Sequence, residues 1–167
     1  MHCRKLKRNL QEACPCSLSC IDESMYKSLY GKEEPLRVYL IEKKSDVTFI
    51  RHAVDKLLKA AAAAWVDPAR RGILLALTEA VTNVVKHTPG GKVLVFLTAD
   101  GPRFHVIDRG KGFPQGKLPC LWFKKGYSTS DSLGAGFLMM MKYMREIVVC
   151  SGVKGTILIM QADLKTR

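Results

Sequence analysis

Asp67-Pro68 and Pro89-Gly90-Gly91 bracket the stretch of this chain whose local structure is most tightly dictated. A capping residue followed by proline at the first helical position starts a helix, because the N–H that proline lacks has no helical acceptor there, and the Pro-Gly-Gly run stops it. At about 100° per residue, Ile73, Leu74, Leu77, Ala80, Val81, Val84 and Val85 fall on one arc, and Thr78, Glu79, Thr82, Asn83 and Lys86 fall opposite. The helix therefore buries one side. Glu79 and Asn83 leave the other side one turn apart, and on the helix alone that pair also reads as an ordinary solvated face.

Strands succeed the helix. Lys92 to Thr98 is β-rich, Asp100-Gly101 is a hairpin turn signal, and Arg103 to Ile107 returns as a second strand. Asp108-Arg109-Gly110-Lys111-Gly112 then stands at a strand end. Residues 113 to about 132 hold Pro114, Gly116, Pro119 and Gly126 and no convincing element, which at this length predicts a lid or binding loop. Gly134-Ala135-Gly136 opens a helix expected to continue to about Glu146, with the methionine run Met139 to Met141 as buried packing. Ile147 to Cys150 and Thr156 to Met160 close the chain as a hairpin.

Upstream, Leu36 to Ile41 reads as a strand. A helix capped by Ser45 or Asp46 comes next, with Val47, Ile50, Val54, Leu57, Leu58 and Ala61 on its apolar side, and the alanine run extends it to Trp65. Residues 1–34 carry a basic cluster (Arg4, Lys5, Lys7, Arg8), four cysteines (Cys3, Cys14, Cys16, Cys20) and no sustained periodicity, and are expected to be an appended segment, with room for a short helix. Residues 35–165 are then one domain, and 47% apolar content supplies its core.

No apolar run approaches the length of a bilayer span, and the basic start lacks an apolar region behind it, so a cytoplasmic protein away from membranes is expected. The cysteines are then reduced thiols, and Cys14-Pro15-Cys16 with Cys20 lacks the paired spacing of a zinc site. Twenty-seven Lys and Arg against 15 Asp and Glu give +12, which favours polyanions: nucleotide phosphates, nucleic acid or an acidic protein. A nucleic-acid partner is disfavoured, because no helix-turn-helix or aromatic-basic pattern accompanies the charge.

The polar residues have chemistry in common. A strand-end carboxylate such as Asp108 can accept from the exocyclic amine of a purine, and Gly110 and Gly112 let backbone approach the base. Gly134 to Gly136 offer bare N–H groups and a positive helix end to phosphate. Ser128, Thr129, Ser130 and Ser132 with Lys124 and Lys125 add hydroxyls and cations just before it. Asn83 has the hard carbonyl oxygen that Mg²⁺ accepts, and Glu79 could take a proton from an attacking hydroxyl.

In that order and spacing the set resembles the superfamily of gyrase, chaperone, histidine kinase and mismatch-repair ATPases with the Bergerat nucleotide-binding fold. Glu79-Ala80-Val81-Thr82-Asn83, continuing to Gly91, is similar to its N box; Asp108 to Gly112 resembles the first glycine box, Gly134 to Gly136 the second, and Gly155-Thr156 the late Gly-Thr beside adenine. Gly126-Tyr127-Ser128-Thr129-Ser130 leading to Leu133-Gly134-Ala135-Gly136-Phe137 is most similar to the small bacterial serine kinases that regulate sigma factors. The resemblance covers about residues 36 to 163.

It implies an α+β, two-layer sandwich with a mixed, mostly antiparallel sheet, helices on one face and an ATP lid. It implies ATP and Mg²⁺, with Glu79 as general base, Asn83 as metal ligand, Lys86 as phosphate contact, Asp108 as adenine anchor and Thr156 behind the base. Gly110, Gly112, Gly134, Ala135 and Gly136 shape the pocket, with Ser128, Thr129 and Ser130 in the lid. The implied reaction is γ-phosphate transfer to a Ser or Thr of an anti-sigma-antagonist-like (STAS) protein. The alternative is an ATP-dependent anti-sigma factor or switch protein that binds without catalysis, and a homodimer is left open. The segment before Leu36 is expected to leave no room for the dimerisation hairpin of a histidine kinase, Gln115 and two prolines oppose a Rossmann reading, and the Walker pattern is absent.

Overall fold

Strand alternation decides which side of each β-segment meets the helices. The computed structural model describes residues 16–61, 67–112, 133–152 and 154–163. Its six strands are β1 (Ser17–Ile21), β2 (Arg37–Ile41), β3 (Gly91–Thr98), β4 (Gly101–Asp108), β5 (Glu146–Gly152) and β6 (Gly155–Gln161). Its helices among the described residues are α1 (Glu23–Tyr30), α2 (Lys44–Ala61), α3 (Asp67–His87) and α4 (Leu133–Tyr143). The sheet runs β1-β5-β6-β4-β3-β2, antiparallel throughout except for the parallel β1–β5 pair. The expected mixed, mostly antiparallel α+β sandwich is what the chain forms.

Val93 and Val95 of β3, Phe104 and Val106 of β4, Ile147 and Val149 of β5 and Leu158 and Met160 of β6 share a core with Ile50, Val54 and Leu58 of α2, the apolar arc of α3, and Phe137, Met140 and Met141 of α4. The spacing of four along α2 brings one stripe onto that core. Its start differs from expectation. The helix starts at Lys44, and Asp46 in its first turn reaches back so that its Oδ2 accepts the N–H groups of Glu42 and Lys43, both at 2.9 Å. A carboxylate in the first turn serves two orphan donors where a Ser or Asp cap would serve one. The helix is described to Ala61, and its expected extension to Trp65 lies outside the described residues.

Two further boundaries move. The Met-rich helix ends at Tyr143, and Glu146, expected at its end, is the first residue of β5. The cause is pairing: Glu146 and Ile147 lie opposite Gln161 and Met160, so the sheet claims them from the helix. Residues 16–30, expected within an appended segment, supply the edge strand β1 and the helix α1. Alternation on β4 turns His105 to the sheet face opposite the core, and α1 lies there, with Tyr26 Oη 3.0 Å from His105 Nδ1 and the Tyr30 ring edge-on to the imidazole. Three helices thus cover one face and α1 part of the other. No helix among the described residues is long and apolar enough to cross a membrane.

Candidate functional site

The carboxylate at the end of β4 is held by main chain. Asp108 Oδ1 accepts from Gly110 N at 2.7 Å and from Thr156 N at 3.2 Å. The first bond is local, the turn an Asp makes with the residue two ahead. The second crosses from β6, because Ile107 pairs with Ile157 and the next step along the ladder sets Thr156 beside Asp108. Burial raises the Asp108 carboxyl above its usual range, and the N–H groups of Gly110 and Thr156 and the Thr156 hydroxyl pull it part of the way back. Both main-chain donors meet Oδ1.

Around this carboxylate the backbone is packed too closely for side chains. Gly155 has φ +128°, and a Cβ there would collide with the Asp108 carbonyl. At Gly110 it would sit 3.0 Å from Asp108 Oδ1 and 3.1 Å from Thr88 Cγ2. Thr88 is anchored in turn: its Oγ1 donates to Val84 O at 2.8 Å, closing α3, and accepts from Gly90 N at 3.2 Å. Gly90 O then receives the N–H of Arg109 at 3.0 Å. The end of α3 is therefore fastened to the turn that carries Asp108.

Further up α3, Glu79 and Asn83 are both half-buried, one turn apart on the side away from the core arc, and Lys86 is exposed beyond them. Glu79 points at α4. A Cβ on Gly136 would come within 2.7 Å of Glu79 Oε2, so the hydrogen at that position is what gives the carboxylate its seat. The same helix pair meets two turns away, where a Cβ on Gly72 would collide with the ring of Tyr143. Residues 72 and 79 on one helix face 143 and 136 on the other, an antiparallel crossing in which each helix offers a glycine to the other's side chain.

The chain thus brings Asp108, Gly110 and Thr156 together at one end of α3 and Glu79 and Gly136 together along it. Gly112 has φ +67°, the left-handed turn that glycine adopts freely, and Gly134 and Ala135 lie in the first turn of α4. Ser128, Thr129 and Ser130, with nearly all of the expected lid, lie outside the described residues. Thr88 and Gly90, inside the stretch similar to the N box, and Gly155, of the Gly-Thr pair, have no role assigned from sequence and join the site through the fold. Gly155 has a signal in the Gly-Thr pair; the hydroxyl bonds of Thr88 to Val84 and Gly90 are local, whereas its approach to Gly110 comes from the fold.

Residues 42–162 match the histidine kinase-like ATPase domain family. The chain belongs to that family. A comparison with curated proteins returned no match. As a histidine kinase-like ATPase domain the chain binds ATP, and its matched region runs from the end of β2 to the residue after β6. The family match begins after β1, α1 and β2, so the elements at both sheet edges stand outside it.

Proposed function

We propose that this ATPase domain is a serine/threonine protein kinase of the partner-switching type, which passes the γ-phosphate of ATP to a Ser or Thr of a STAS-type protein. The observation that carries the chemistry is the seat of Glu79 against Gly136: binding adenine needs Asp108, but binding alone does not need a half-buried carboxylate held at the start of the helix that the second glycine box opens. The partner class is supported by the resemblance of Gly126 to Ser130 and Leu133 to Phe137 to sigma-factor-regulating kinases.

In this reading the Asp108 carboxylate accepts a hydrogen bond from the exocyclic amine of adenine while Gly110 and Thr156 hold it in place. The N–H groups at the start of α4, including those of Gly134 and Ala135, face the phosphates, with Lys86 as a further cation. Asn83 fits a hard cation by the chemistry of its amide oxygen, and a bound Mg²⁺ would neutralise charge on the β- and γ-phosphates. The partner's hydroxyl oxygen attacks the γ-phosphorus, its proton passes to Glu79, the bond from the γ-phosphorus to the bridging oxygen breaks, and ADP leaves.

The test is transfer of label from γ-labelled ATP to a serine-bearing STAS protein, with wild type and Glu79→Gln side by side. The variant keeps the shape and loses the proton acceptor, so nucleotide binding should persist while turnover falls by roughly 10²–10⁴-fold. Equal rates would remove Glu79 from catalysis. Nucleotide binding with no transfer by the wild type would leave an ATP-dependent switch.

A further inference from the structure

The sheet ends on β2, and no strand among the described residues pairs with its outer edge. An open row of N–H and C=O groups is a template for another chain, and such edges are ordinarily guarded by charges, proline or a bulge. After Arg37 at its first position, β2 reads Val38, Tyr39, Leu40 and Ile41. Val38 is 51% and Leu40 64% exposed on the face away from the core, with Leu36 41% exposed just before them. On the other face Phe49 of α2 is 63% exposed and stands edge-on to Tyr39, with ring centroids 6.1 Å apart. Apolar side chains therefore flank the open edge on both faces. The opposite edge, β1, presents exposed Ser17, Ser19 and Cys20 instead.

The charge around β2 selects the occupant. Arg37, Lys43, Lys44 and Lys92, the last paired with Leu40 across the ladder, are all exposed. The carboxylates nearby match them in number but two are engaged: Glu33 is ion-paired with Arg103 and Asp46 Oδ2 is taken by two main-chain N–H groups, which leaves Glu34 and Glu42. A second copy would bring the same cations and another +12 to the contact, against Coulomb repulsion. An acidic strand would meet attraction on its flanks and apolar surface at its centre.

We propose that the open edge of β2 docks an acidic, extended segment of a partner protein, which adds to the sheet beside Val38 to Ile41. One alternate set of side chains on the incoming strand is apolar and covers Val38 and Leu40, and the other set carries carboxylates toward the face of Arg37, Lys43 and Lys44. The surface adjoins the Asp108 turn, because a Cβ on Gly90 would lie 2.6 Å from Ile41 O and Gly90 O holds the Arg109 N–H. The proposal stands independently of the phosphotransfer reading.

The experiment titrates the full chain with two short synthetic peptides that alternate valine with a charged residue, one carrying glutamate and the other lysine at otherwise identical positions. Amide hydrogen exchange and chemical shifts are followed along β2. The glutamate peptide should slow exchange within Arg37–Ile41 by about tenfold or more, lose its affinity at high ionic strength, and bind at least about tenfold more weakly to Leu40→Lys. Leu40 is exposed, so an unchanged melting temperature shows that this variant keeps the fold. Equal binding of the two peptides, no protection in β2, or unaltered affinity of folded Leu40→Lys overturns the proposal. So does concentration-dependent protection of β2 without any peptide, which would make a second copy the occupant.

Discussion

Asp108 is ionised at a cost. Its folded-state pKa is raised by burial, so ionisation disfavours the fold at neutral pH, and the penalty is relieved as pH falls through that raised value. Asp108→Asn preserves size and exchanges an acceptor for a donor, so ATP affinity should drop by roughly 1–3 kcal/mol in a calorimetric titration, with no loss of thermal stability. Wild-type affinity in that variant would take Asp108 out of the pocket. Gly136→Ala separates stability from chemistry in another way. The new methyl meets only the flexible end of Glu79, and alanine is favoured over glycine within a helix by up to about 1 kcal/mol, so the melting temperature should hold or rise. If the proposed phosphotransfer holds, the displaced carboxylate should nevertheless slow it, which a rate measured at saturating ATP will show.

At the scale of elements, the crossing of α3 and α4 is what carries Glu79 to its seat. A second close contact in that crossing is Gly72 under the ring of Tyr143, and there the added methyl would strike a bulky aromatic packed between helices. Gly72→Ala should destabilise the fold by roughly 1–3 kcal/mol, the usual cost of overpacking, despite the better helix propensity of alanine. Tyr143→Ala in the same background should return part of that loss, and a denaturation cycle over the four proteins measures the coupling. Additive effects would mean that the ring moves aside freely and that the helix crossing is held elsewhere. An isolated glycine inside a strong helical pattern is a visible hint of such a contact, but which side chain occupies the space is not written in the neighbouring residues.

For the whole molecule, the sheet face beneath α1 contributes to the response to acid. His105 is buried against Tyr26, Tyr30 and Phe96, and burial, with Arg103 adding to it, pushes its pKa down to about 3 from 6.5. The folded state holds the imidazole neutral while the unfolded chain can protonate it, so its contribution is intact above pH 6.5 and is lost progressively as pH falls toward 3. Between pH 7 and pH 5 that amounts to about 2 kcal/mol, and urea denaturation of wild type against His105→Phe at the two values should show the slope reduced in the variant. An identical slope in both would assign the acid response to other groups.

Consecutive residues determined what their own spacing can encode. The apolar arc of α3, its proline start and glycine stop, the β3–β4 hairpin and the order of the Asp108, Gly136 and Thr156 motifs were all legible, because each depends on periodicity or on turn chemistry within a few positions. The tertiary structure alone decided that Thr156 N reaches Asp108 through the β4–β6 ladder, that Glu79 is seated on Gly136, and that β1 joins β5 in parallel. It also placed α1, which buries none of its own residues, over His105. An edge strand rich in serine and a two-turn helix held by tyrosine, arginine and histidine contacts have too little apolar pattern to announce themselves. Their positions depend on partners more than a hundred residues away for β1 and about eighty away for Tyr26.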